Sequence, residues 1–289
     1  MRGPTGWRHL VIPLTLTLSR REKEKAYGFE VLVMRQPNAF TLVELLTVIG
    51  IISILIAILL PALNRARDSA QAAVCASNIR QLHIASMGYA AENRGYWPPA
   101  HFDYTTVATN LHRWHGTRQS TSEAFNMNGS LLKSFLQTGA VKECPVFEPA
   151  HPGFEASAGG YGYNNHYLGS SIAVEVGQSY ADNHPAKTSQ LRKPAETVAF
   201  TDAAFGDPRL IEYSFVEPPV AISQWGSFPN SPSIHFRHRD KANTCWADGH
   251  VTLEPMTWTR PEPNFYGTDN IALHLGFIGP QDNSLYDRD

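Results

Sequence analysis

The chain has 289 residues and an almost balanced charge, with 24 Lys and Arg residues against 26 Asp and Glu residues. No basic field therefore points to nucleic acid as a partner. Aromatic residues make up 11 % of the chain, which also contains 21 Gly and 20 Pro residues. This composition predicts a folded domain rich in turns rather than a disordered chain.

A long apolar stretch, NAFTLVELLTVIGIISILIAILLP, occupies residues 38–61. From Phe40 to Leu60 it would form a helix of about 31 Å, which matches the ~30 Å hydrocarbon core of a bilayer. One carboxylate, Glu44, lies near its start. An ionised acid costs ~2.5–3.5 kcal/mol at the centre of a membrane helix and less near its end. We therefore expect a positive partner for Glu44, such as a newly exposed α-amine at Phe40.

The letters AFTLVELL, followed by this apolar stretch, resemble the N-terminal signal of type IV pilins and type II secretion pseudopilins. The resemblance implies that a prepilin peptidase cuts between Ala39 and Phe40 and that Phe40 is then N-methylated. It also implies that Glu44 pairs with an amine in the growing filament. The family usually has Gly before the cut, where this chain has Ala39. Pro61 is similar to a helix-kinking proline of the family, and a kink also follows from its missing backbone donor.

The segment before the cut has a second interpretation. Met34 begins MRQPNA, a short basic leader of the kind that the family would have. Residues 1–33 are then either part of a long natural leader or the result of a start codon placed too far upstream, with Met34 as the true start. The positive-inside bias decides little about orientation, because basic residues lie on both sides of the apolar stretch. The alternative to a processed signal is a plain signal anchor with an incidental glutamate.

Residues 62–93 are rich in Ala and contain no Pro, which predicts a helix that continues as a stalk. Five of its residues recur at steps of four and three and should share the face that packs under a head: Cys75, Ile79, Leu82, Ser86 and Tyr89. Gly95 is a suitable C-terminal cap. The segment from Cys75 to Pro99 also resembles the second part of the family helix.

The remaining residues show shorter patterns. SLLKSFLQ at 130–137 predicts a short amphipathic helix, YGYNNHYLG at 161–169 suits a strand that enters a turn, and ETVAFTDA at 196–203 predicts a buried strand end. Asp248-Gly249 between two strand-like runs predicts a type I′ hairpin. The expected fold class is α+β, with the long N-terminal helix packed against an antiparallel β-sheet head.

These elements divide the chain into four expected segments: a leader at 1–39, a transmembrane and polymerisation helix at 40–61, a stalk helix at 62–95 and an exported head at 96–289. The resemblance implies a single-pass inner-membrane protein with its head in the periplasm or outside the cell. It also implies a prepilin peptidase, other pseudopilin subunits, an inner-membrane assembly platform and membrane lipid as partners.

His238 precedes Asp248-Gly249 by a spacing that resembles the His-x9-Asp-Gly element at the end of many prepilin-like heads. We expect a positive φ at Gly249 and a hydrogen bond from His238 across the same hairpin, so that the element acts as a structural clasp. A metal site is the other interpretation. Zn²⁺ could use His235, His238, His250, Asp202 and Asp248, whereas Ca²⁺ could use Asp202, Asp207 and Asp248. The simpler view is that Asp248 is a turn residue, so that no cofactor is expected unless it is Ca²⁺.

The three cysteines are Cys75, Cys144 and Cys245. In an exported domain they allow one disulfide and one free thiol, or three buried thiols. Cys75 lies on the stalk face that should meet the head, and Cys144 precedes a proline turn in the head. A Cys75–Cys144 bond is therefore the expected pairing if a disulfide forms.

The sequence contains no Gly-x-Ser-x-Gly, phosphate-loop or His-Glu-x-x-His motif, so we do not expect an enzyme. The first hypothesis is a structural filament subunit of a type II secretion or type IV pilus-like system. The alternative is a membrane-anchored surface module that binds a carbohydrate or cell-surface ligand. Aromatic residues that could line its groove, although such residues are more often core, are Tyr161, Tyr163, Tyr167, Trp225, Trp246 and Trp258.

Overall fold

The computed structural model describes residues 41–101, 111–137, 139, 142–150, 155–169, 185–223, 226–261 and 267–288. The chain divides into two compact units, Met1–Leu55 and Ile56–Asp289. The predicted cleavage site, Ala39 and Phe40, lies outside the described residues, and so does Trp225.

A long helix, α1, spans Leu42–Glu92 and includes Pro61. By length and composition it could cross a membrane, and the large apolar side chains of its first part are exposed. The kink at Pro61 stays a prediction. The helix ends as the sequence predicts, since Gly95 has a φ of 85° and its N–H donates to the Ala90 carbonyl at 2.8 Å. This bond satisfies a carbonyl of the last turn.

The strands of the described part are short. In chain order they are His112–Arg113 (β1), Gly116–Thr117 (β2), Tyr161–Tyr163 (β3), Val198–Asp202 (β4), Phe205–Asp207 (β5), Arg209–Ile211 (β6), Val220–Ser223 (β7), Gly226–Pro229 (β8), Ile234–His235 (β9), Lys241–Trp246 (β10), Val251–Pro255 (β11) and Leu275–Gly276 (β12).

A four-stranded antiparallel sheet, in the order β11-β10-β4-β3, forms the centre of the second unit. The strands predicted from YGYNNHYLG and ETVAFTDA are β3 and β4, and those predicted on either side of Asp248-Gly249 are β10 and β11. The other strands pair in twos. The predicted α+β class, with a helix packed on an antiparallel head, is confirmed.

The predicted stripe of α1 packs into the core of this second unit. Cys75, Ile79 and Leu82 are at most 1 % exposed, and they share a cluster with large aromatic residues such as Trp114 and Phe200. Arg80, off the stripe, is exposed. The period of the sequence therefore identified the buried face correctly, because apolar residues at helical spacing form one continuous stripe.

The prediction of a short amphipathic helix at residues 130–137 is wrong. Only a 3-10 turn, Lys133–Phe135, forms there. The Ser130 hydroxyl donates to the Trp114 carbonyl at 2.8 Å and accepts from the Leu132 N–H at 3.1 Å. The Ser130 side chain therefore forms a turn with the backbone two residues further on, where an α-helix would otherwise begin. A segment this short gains too few helical bonds to offset nucleation, and the burial of Leu132 and Leu136 decides its path.

Candidate functional site

The start of α1 is a capping box between Thr41 and Glu44. The Thr41 N–H and Oγ1 each donate to Glu44 Oε2 at 2.9 Å, and the Glu44 N–H donates to Thr41 Oγ1 at 3.2 Å. Such a box satisfies donors that a helix N-terminus leaves unpaired. The sequence contained its Thr-x-x-Glu signature, which our reasoning on Glu44 missed. The expected pairing of Glu44 with the Phe40 amine involves a residue outside the described part.

The carboxylate of Glu44 is surrounded along the helix by exposed apolar residues. The exposed fractions of the large apolar side chains from Leu42 to Leu60 lie between 45 % and 74 %. An uncovered apolar surface of this size is unusual in a soluble monomer and marks contact with lipid or protein.

The side chain of His238 does not reach the turn at Asp248-Gly249. Its Nε2 lies 3.3 Å from Asp202 Oδ2 and 3.8 Å from Cys144 Sγ. The backbone N–H of His238 donates to the Lys241 carbonyl at 2.9 Å. The two residues between them, Arg239 and Asp240, have φ values of 56° and 59°. Two successive positive φ values are what a type I′ turn needs. The predicted clasp between His238 and the Asp248 hairpin is therefore wrong.

The turn at Asp248-Gly249 differs from the predicted type. Gly249 has the expected positive φ, 93°, but Asp248 does not share it. The Gly249 N–H donates to the Trp246 carbonyl at 2.9 Å, and the Trp246 N–H donates to the His250 carbonyl at 3.0 Å. This is a three-residue loop with a glycine bulge rather than a two-residue type I′ turn. The bulge accommodates the extra residue between the two strands.

Helix α1 packs against this turn through His83. His83 Nε2 lies 3.0 Å from the Ala247 carbonyl oxygen. A Cβ added at Gly249 would lie 2.8 Å from His83 Cε1. Glycine is therefore required twice over, by its φ and by the close approach of the imidazole.

The residues proposed for metal binding fall into separate places. In the register of β10 with β4, Trp246 pairs with Val198, and Asp202 at the other end of β4 bonds to Asn243. Asp202 and Asp248 therefore lie near opposite ends of β4, whose first and last residues are about 13 Å apart at ~3.3 Å per residue. Asp248 bonds to His250 Nδ1 at 2.6 Å. The predicted Zn²⁺ and Ca²⁺ sets that combine Asp202 with Asp248 are wrong.

Asp202 instead lies at the centre of a buried polar cluster. Its Oδ1 accepts from Arg237 Nη2 at 2.8 Å, and its Oδ2 accepts from the Asn243 N–H at 2.7 Å and from Asn243 Nδ2 at 3.0 Å. Burial alone would raise the pKa of Asp202, but Arg237 and His238 outweigh it and hold this pKa below its usual value. The carboxylate is therefore ionised and its acceptors are engaged.

Two cysteines complete the cluster. Cys75 Sγ on α1 lies 2.6 Å from Cys144 Sγ, and both residues are at most 3 % exposed. The ligand atoms of Cys75, Cys144, Asp202 and His238 lie within 4.8 Å of one another, close enough to hold a metal ion. The sequence reasoning named the cysteine pair but missed that Asp202 and His238 join it. Cys245 is a separate buried thiol in β10.

The charges in this cluster favour a thiolate at Cys144. The hydrogen bond from Cys75 lowers the pKa of Cys144, and His238 and Arg237 act in the same direction against burial. The same contact with Cys144 raises the pKa of Cys75, and burial adds to it. Burial lowers the pKa of His238, but Asp202 and Cys144 raise it to about 9.

The aromatic residues considered for a binding groove are mostly core residues. Tyr161 and Tyr163 are 0 % exposed, Tyr167 is 4 % exposed and Trp246 is 8 % exposed. The Tyr163 ring stacks on Phe200 with centroids 4.8 Å apart. These four side chains therefore do not line a groove.

A helix of membrane length joined to an α+β domain is the pattern of a single-pass, membrane-anchored protein. Residues 34–60 match the family model of the prokaryotic N-terminal methylation motif. This match includes Ala39, Phe40 and Glu44 and supports a type IV prepilin-like protein. No curated protein and no solved structure matches the chain.

Proposed function

We propose that this chain is a pseudopilin-like filament subunit of a type II secretion or type IV pilus-like system, with a structural rather than a catalytic role. A prepilin peptidase cuts it between Ala39 and Phe40, and the new amine is methylated. The observation that carries the proposal is the methylation motif at residues 34–60, which includes the exposed apolar start of α1.

Glu44 is the assembly residue in this proposal. A carboxylate offers about four lone-pair positions, and Thr41 takes two of them in the capping box. Glu44 can therefore keep its cap and still accept from an α-amine, its own or a neighbour's. A hydrogen bond between two charged groups is about twice as strong as a neutral one. In the apolar interior of a filament this pair orders the addition of subunits.

The setting follows from the same elements. Residues 40–61 lie in the inner membrane, and the head lies in the periplasm or outside the cell. The partners are the prepilin peptidase, other pseudopilin subunits, the inner-membrane assembly platform and lipid. No observation favours the surface-binding alternative, because four of its six aromatic candidates are buried.

Filament assembly tests the proposal. Replacing Glu44 by Ala or Gln should abolish assembly in cells that contain the secretion machinery, while the protein still inserts into the membrane. Ser53→Ala is the matched control, since Ser53 lies in the same apolar segment and its hydroxyl donates only to the Ile49 carbonyl of its own helix. Pelleted filaments and membrane fractions are compared by immunoblot. Normal filaments from Glu44→Ala would contradict the assignment.

A further inference from the structure

The contact between Cys75 and Cys144 joins two distant parts of the chain, 69 positions apart in sequence. The loop that carries Cys144 is held by its backbone, since the Cys144 N–H donates to the Gly159 carbonyl at 3.0 Å and the Phe147 N–H donates to the Cys144 carbonyl at 3.1 Å. One turn further along α1, Asn78 Nδ2 donates to the Tyr161 hydroxyl at 3.0 Å. Both sulfur atoms are thus positioned by their surroundings.

A disulfide fits this place better than a metal ion does. Two thiolates bound tetrahedrally at ~2.3 Å from a Zn²⁺ would lie about 3.8 Å apart, well beyond the 2.6 Å between these sulfur atoms. Asp202 already accepts three hydrogen bonds from Arg237 and Asn243, and His238 Nε2 lies 3.3 Å from its Oδ2, so that all of its about four lone-pair positions are engaged. The buried guanidinium of Arg237 would also repel a divalent cation.

We propose that Cys75 and Cys144 are the site of a disulfide that links α1 to the Cys144 loop in the exported protein. The inference rests on the proposed function in one respect, because export brings the thiols into an oxidising compartment. The bond fixes the stalk part of α1, which contains Cys75, covalently to the Cys144 loop. The other contacts between α1 and this loop are side-chain packing and single hydrogen bonds.

The reaction is an exchange with an external disulfide, either of a thiol oxidoreductase or of a small molecule. The Cys144 thiolate attacks one sulfur of that disulfide and expels the other as a thiolate. Cys75 then loses its proton and attacks the Cys144 sulfur, which releases the second thiolate. In total the two cysteines lose two protons and two electrons, and the oxidant becomes two thiols. Because both cysteines are buried in the folded chain, the exchange takes place before α1 covers Cys144.

The test uses the full chain, extracted from membranes in detergent after free thiols have been blocked by alkylation. Peptide mapping without reductant should find one cross-linked peptide that contains Cys75 and Cys144, and an unlinked Cys245. Reduction should lower the melting temperature of the wild type and of Cys245→Ser by the same amount. It should leave Cys75→Ser and Cys144→Ser unchanged.

Two outcomes overturn the disulfide. The first is alkylation of both Cys75 and Cys144 in the unfolded, unreduced chain. The second is a stoichiometric metal ion found by elemental analysis, together with a melting temperature that EDTA lowers. The N-terminus of the same sample separates this inference from the proposed function. A chain cut before Phe40 with free thiols contradicts the disulfide alone, and an uncut chain with the linked peptide contradicts the proposed function alone.

His238 is a positioning residue for this reaction. Its Nε2 lies 3.8 Å from Cys144 Sγ and comes from the loop before β10, so it can act on Cys144 before α1 covers that residue. The titratable groups that face Cys144 come from α1, β3, β4 and the loop before β10: Cys75, Tyr161, Asp202, Arg237 and His238. His238→Gln removes a cation and keeps a donor. Refolding of the reduced chain with oxidised glutathione should then form the cross-link more slowly, and its pH profile should move to higher pH. An unchanged pH profile with only a lower melting temperature would show that His238 is merely structural.

Discussion

The two ends of α1 differ in what covers them. Between Leu42 and Leu60 the large apolar side chains are at least 45 % exposed, whereas Cys75, Ile79 and Leu82 are at most 1 % exposed. The first region has one charged group, Glu44, bonded within its own turn to Thr41. In the second, groups from distant segments meet at Asp202 and Cys144. In the first region the hydrogen bonds are local, and the exposed apolar side chains need an outside partner to cover them. In the second region the fold itself covers the side chains.

The largest effect should come from removing the charge at the centre of the buried cluster. Asp202→Asn leaves Arg237 without its counterion, and loss of one partner of a buried ion pair costs about 3–5 kcal/mol. The free energy of unfolding, measured by denaturant titration of the solubilised chain, should fall by that amount. Cleavage between Ala39 and Phe40 should be unaffected. A loss below about 1 kcal/mol would mean that the cluster is not a stabilising centre.

A side chain at Gly249 should have the next largest effect. Gly249→Ala forces a non-glycine residue to a φ of 93° and places its Cβ against His83, which should lower stability by about 3 kcal/mol. Gly267→Ala is the matched control, because Gly267 also has a positive φ, 76°, but no atom of the described residues lies within 4 Å of the added Cβ. Equal losses in both variants would remove the contact with α1 from the explanation.

Acid should weaken the head through Asp202. Because the pKa of Asp202 in the folded chain lies below its usual 3.8, its stabilisation is fully present above pH 3.8 and is lost as the pH falls through the folded value. Melting curves from pH 6 down to pH 2 should therefore show a loss that Asp202→Asn lacks. Parallel curves for the two proteins would contradict the ion pair.

The smallest effect on stability should come from a change at Glu44. Glu44→Gln should leave the melting temperature of the head unchanged within error, since Glu44 bonds only to Thr41 in the described contacts. The same variant should stop filament assembly. A lower melting temperature would show that the two regions of α1 are coupled.

The sequence could predict the local features of α1 but not the contacts between distant segments. The Thr-x-x-Glu cap, the apolar run and the stripe from Cys75 to Tyr89 depend on neighbours within a few residues, so their pattern is visible in the letters. The meeting of Cys144, Asp202 and His238 depends on sheet register and on where two loops run. Spacing in sequence even misled, because nine residues between His238 and Asp248 suggested a contact, whereas a turn at Arg239–Asp240 sends them to different places.

The mature N-terminus shows directly whether a prepilin peptidase processes this chain. The chain is extracted from membranes of cells with an active prepilin peptidase and analysed by intact mass and N-terminal sequencing. We expect a chain that begins at Phe40 and has the added mass of one methyl group. A peptidase-deficient strain should retain the leader and lack the methyl group. A mature chain that retains Gln36–Ala39 would contradict the assignment of this protein to the prepilin pathway.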